Sequence, residues 1–112
     1  MANENPVTTL VTYRPKEGEQ ENFFKLLEKH WPTLNQLGLV TSQPVTIWRA
    51  TDKRTKREYW LELFQWKDES SSTLAHQLPE VMAIWEPMGP LLEDMQLAKL
   101  DPVNIKVEPE HS

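Results

Sequence analysis

Within the run Glu58 to Trp66, a carboxyl group sits among aromatic rings. Side chains of a strand alternate, so Trp60, Glu62, Phe64 and Trp66 share one face while Tyr59, Leu61, Leu63 and Gln65 share the other. A carboxyl group in an apolar wall favours its neutral form and could orient a substrate hydroxyl or act as a general base. Glu62 is therefore one catalytic candidate, its structural alternative being a salt bridge or hydrogen bond to Arg49 or across a dimer. His76 is the second, as a proton carrier at a cavity mouth; its alternative is a surface or helix-capping histidine. Trp48, Trp60, Phe64 and Trp66, joined by Tyr13 if its strand presents that face, could form a platform for a planar ligand or fill a core or dimer interface.

Other chemistries lack their residues. His30 beside Trp31 reads as a boundary histidine next to the core, and His111 belongs to the tail. Three histidines scattered over three elements do not make a metal site. With no cysteine there is no disulfide, thiolate nucleophile or cysteine-ligated metal. Ser70, Ser71 and Ser72 suit a helix start better than a nucleophile, since no glycine-rich elbow accompanies them. Gly18, Gly38 and Gly89 are too few and too scattered for a phosphate-binding loop.

The elements that must position these groups follow from local pattern. Val7 to Tyr13 alternates as a strand ended by Pro15, and the acidic segment after it opens a helix. Phe23, Leu26, Leu27, Trp31 and Leu34 recur at helical spacing; Pro32 predicts a kink or break and Gly38 a stop. Pro44 to Thr51 and Glu58 to Trp66, joined by a short basic turn, should pair as an antiparallel hairpin. Asp68 to Ser72 caps a short helix reaching about Gln77, and Pro79 starts another that Pro87, Gly89 and Pro90 disrupt. Leu91 to Met95 reads as a further turn, and Val103, Ile105 and Val107 as a final strand, with a loose tail over 108–112. Residues 1–112 then form a single domain with its core in about 7–107.

Composition narrows the partners. The chain has 112 residues, a net charge of −5 and five tryptophans, so large aromatics carry much of the core and no general attraction to nucleic acid is expected. The four cations of Asp52 to Arg57 read as a solvated turn. Without a secretory pattern at the start or a run long enough to span a bilayer, the expected location is cytoplasmic, with no membrane partner. Both faces of Glu58 to Trp66 are largely apolar, so one needs a cover beyond the chain's own helices, and a homodimer would supply it.

Strand, helix, strand hairpin, helix and strand make a ferredoxin-like α+β order: a four-stranded antiparallel sheet with helices on one face. With Glu62-Leu63-Phe64-Gln65-Trp66-Lys67-Asp68-Glu69, then Leu74-Ala75-His76 and Pro79-Glu80-Val81, the chain resembles the dimeric α/β barrel superfamily, in particular its antibiotic biosynthesis monooxygenase-like and NIPSNAP-like domains. The resemblance spans roughly 7–100. It implies two sheets packed around ligand cavities, a small aromatic or polycyclic ligand, and either cofactor-independent monooxygenase-like chemistry or non-catalytic binding. Trp66 matches the tryptophan ending the third strand of the haem-degrading branch. The haem-ligating histidine of that branch falls at Trp85 and its pocket asparagine at Val11, so the resemblance implies no haem and no other cofactor.

Overall fold

A computed structural model describes residues 5–105. Four strands, β1 (Val7–Pro15), β2 (Thr46–Thr51), β3 (Glu58–Trp66) and β4 (Leu92–Leu100), form one sheet in the order β2-β3-β1-β4, all neighbours antiparallel. Three α-helices, α1 (Gln20–Gln36), α2 (Glu69–Ala75) and α3 (Pro79–Met88), complete the α+β fold, and a 3-10 turn over Gly89–Leu91 leads from α3 into β4.

The alternation of β1 and β3 sets the core. Val11 and Tyr13 on β1 and Glu62, Phe64 and Trp66 on β3 are buried, whereas their outward neighbours are less so. On α1 the buried stripe is Phe23, Leu27, His30 and Leu34. The helix continues four residues beyond Pro32, because that stripe anchors it on both sides of the missing N–H. It stops at Gly38, whose φ of +75° is open to glycine and strained for residues with a Cβ. Asp68 caps α2, its carboxylate accepting from the Ser71 N–H at 2.7 Å, and Pro79 opens α3.

The last strand differs from the sequence-based expectation. Leu91 to Met95 is not a further helical turn, and Val103 and Ile105 carry no regular structure; Val107 lies outside the described residues. The strand is Leu92–Leu100, because the free edge of β1 hydrogen-bonds there, with Thr8 opposite Leu100 and Thr12 opposite Gln96. Pro102 has no N–H with which to extend the ladder. Among the described residues, no helix is long and apolar enough to cross a membrane.

Leu27 is 1% exposed at the centre of the α1 stripe. Leu27→Ala should lower the free energy of unfolding by about 2–5 kcal/mol in urea titrations, while Glu28→Ala on the exposed side of the same turn should leave it nearly unchanged.

Candidate functional site

Glu62 is fully buried, on the sheet face covered by α1. Its carboxylate accepts a hydrogen bond from the Tyr13 hydroxyl at 2.6 Å, and His30 Nδ1 lies 2.9 and 3.0 Å from its two oxygens. Tyr13 reaches it along the diagonal of the β1–β3 pair, since Glu62 stands opposite Val11 and Tyr13 opposite Trp60. His30 reaches it from above, on the buried stripe of α1. On the far side of the ring, the indole N–H of Trp85 donates to His30 Nε2 at 2.9 Å.

The partners fix the proton positions. Indole N–H is a donor only, so Nε2 accepts; the neutral imidazole then carries its proton on Nδ1 and donates it to Glu62. Tyr13 donates as well, so the Tyr13 and His30 protons both point towards one carboxylate. Burial, then the negative charge of Glu62 and the hydrogen bond to it, push the Tyr13 phenol well above its ordinary 10.0, which keeps it a donor.

This chain of groups backs an apolar cavity of about 410 Å³. Val11, Phe64, Trp66 and Met88 form its greasy walls, and Met95 and Leu97 of β4 line one side. Tyr13, His30 and Trp85 line it from the network; Ser72 and His76 approach from α2 and its end. The His76 ring packs on Trp85 with centroids 4.8 Å apart.

The structure thus brings together Tyr13, Phe64, Trp66 and His76 at one cavity. Glu62 is not on its surface: it lies behind Tyr13 and His30 and can act on a ligand only through them. Its partner is not Arg49, which is exposed on β2. Trp60 shares the face of Glu62 but packs on Phe24, at a centroid distance of 5.0 Å, outside the cavity lining. Trp48 departs furthest from the platform reading. It pairs with Leu61, on the opposite face of the sheet from Glu62, and is 48% exposed.

Two residues that sequence reasoning did not place in the site are central to it. His30 falls three residues after Leu27 in a 23-27-30-34 stripe, a spacing that the reading beside Trp31 obscured. Trp85, which entered the sequence reading only as the place where the haem-ligating histidine of a resembled branch falls, supplies the N–H that fixes the imidazole tautomer.

Neither a protein-family model nor a curated relative matches the chain by sequence. Solved structures do match by shape. An antibiotic biosynthesis monooxygenase has a TM-score of 0.68 at 10% identity, covering 88% of this chain and 99% of its own. SnoaB, a cofactor-independent oxygenase from Streptomyces nogalater, gives 0.67 at 14% identity, covering 95% and 99%. A NIPSNAP family protein from Agrobacterium tumefaciens gives 0.63 at 11% identity, covering 95% and 93%. The fold is the ferredoxin-like one of the antibiotic biosynthesis monooxygenase-like proteins. At these identities this monooxygenase-like fold is what is shared; the Tyr13–Glu62–His30–Trp85 network is described from this chain alone.

Removing the Tyr13 hydroxyl withdraws one of the donors to a buried carboxylate. Tyr13→Phe should therefore lower stability near neutral pH by about 1–3 kcal/mol. Because the folded phenol holds its proton to a higher pH than the unfolded one, this group's contribution is intact below about pH 10 and falls above it by roughly 1.4 kcal/mol per pH unit. Urea titrations from pH 8 to 11 should show a shallower alkaline decline in Tyr13→Phe than in the wild type.

Proposed function

We propose that this protein binds a small aromatic or polycyclic molecule in the cavity between β4 and the helices, and acts on it as a cofactor-independent monooxygenase. The observation that carries this reading is the tautomer of His30: a carboxylate fixes Nδ1–H and leaves Nε2 as the basic nitrogen, in the wall of an apolar cavity. Turning the Trp85 indole away from Nε2 frees it to take a proton. The imidazolium so formed is held directly against Glu62, and Tyr13 keeps the carboxylate in place. The monooxygenase-like fold is consistent with this chemistry.

The reaction needs a substrate whose carbanion is itself electron-rich. His30 removes a proton from an activated ring methylene, the carbanion adds dioxygen, and the peroxide anion takes the proton back. Loss of water from the hydroperoxide then gives a ring carbonyl, so that CH2 and O2 become C=O and H2O. The protein binds, excludes water and moves one proton; the electrons come from the substrate.

One observation favours a second reading, non-catalytic ligand binding. The Trp85 N–H already occupies Nε2, so a ligand that leaves Trp85 in place meets no free base. Oxygen uptake with anthrone, a polycyclic compound carrying an activated methylene, separates the two. Catalysis predicts uptake by the wild type, a loss of about 100-fold or more in His30→Asn, whose amide can still donate to Glu62, and a Kd about 3- to 10-fold weaker in Trp66→Ala. Binding without oxygen uptake would leave the module reading; uptake unchanged in folded His30→Asn would remove His30 as the base.

A further inference from the structure

We infer that the cavity is selective for charge and hydrogen-bond polarity: it accepts an uncharged aromatic that carries a hydrogen-bond donor and rejects aromatic carboxylates of the same size. The inference rests on the small-molecule reading and deepens it. Among the described residues no lysine or arginine lines the cavity. Among the described residues, three carboxyl groups stand in the lining or directly behind it. Glu62 lies immediately behind Tyr13 and His30, and Glu93 and Asp94 of β4 stand in the lining. Arg57 pairs with Glu93 and is spent on it. A ligand carboxylate resting against the Tyr13 oxygen would be separated from the Glu62 carboxylate by one phenol oxygen, with apolar walls in place of water on several sides.

Hydrogen-bond polarity points the same way. Trp85, His30 and Tyr13 line the cavity, and each has given its proton to the next acceptor: Trp85 to His30, and both His30 and Tyr13 to Glu62. With those protons committed, this wall holds acceptor lone pairs and no free N–H or O–H, and an acceptor takes a donor. Outside the network the lining polar side chains are Ser72 and His76 on the α2 side and the acceptors Glu93 and Asp94 on β4.

Calorimetric titration at pH 7.5 with naphthalene, 2-naphthol and 2-naphthoate reads both properties at constant ring size. The expected order is 2-naphthol tighter than naphthalene and naphthalene tighter than 2-naphthoate, with naphthol ahead of naphthoate by about tenfold or more. In Glu62→Gln, and separately in Asp94→Asn at an exposed position that does not threaten folding, the gap between naphthol and naphthoate should narrow. Naphthoate binding as tightly as naphthol, or naphthol no tighter than naphthalene, overturns the selectivity while the binding function stands. Failure of all three probes to bind overturns the proposed function and the selectivity with it.

Discussion

The burial of the Glu62 carboxylate is the constraint around which the rest is arranged. A carboxylate with no exposure to water must have its oxygens supplied with donors from the protein, or its desolvation would cost several kcal/mol. Those donors come from two other elements, the hydroxyl of Tyr13 on β1 and the ring N–H of His30 on α1. One side chain on β3 therefore ties together β1, through a diagonal contact, and the buried stripe of α1. The aromatic packing around it, Tyr13 on Phe23 and His30 edge-on to Phe64, holds the donors in place.

The same arrangement explains where the cavity lies. Helix α1 is drawn over β3 and β1, and the 3-10 turn hands the chain from α3 to β4. Met95 and Leu97 on β4 consequently stay substantially exposed and face the space between that strand and α3. Trp85 sits at the junction, bonded to the network through its N–H and in tilted ring contact with His76. The polar network is thus both a support for the fold and one wall of the cavity, so that the cavity is built on a well-determined part of the core.

The agreement in shape with proteins only 10–14% identical has a physical basis. Sheet order and helix placement need alternation, turn residues and core volume, which many sequences satisfy. A buried network of four named side chains is far less interchangeable, so the reading of the site has to rest on this chain's own residues.

Much of the architecture was legible in the sequence because its signals are local. Alternation in Glu58 to Trp66 placed Glu62 with Trp60, Phe64 and Trp66; the short basic turn dictated an antiparallel hairpin; Asp68 and Pro79 marked two helix starts. The final strand was misplaced because Leu92–Leu100 alternates weakly, and it is the open edge of β1 that recruits it. Trp48 could be assigned to a face only once its pairing with Leu61 was fixed. The network itself was beyond reach. Glu62 and His30 are 32 residues apart, and Trp85 and His30 are 55 apart, so their meeting depends on how α1 and α3 rotate over the sheet. The sequence determined by itself that a carboxyl group would lie among aromatic rings, since alternation is a property of the backbone. Only the tertiary structure decided which donors met it, because a helix's rotation over a sheet is set by the packing of its whole buried face.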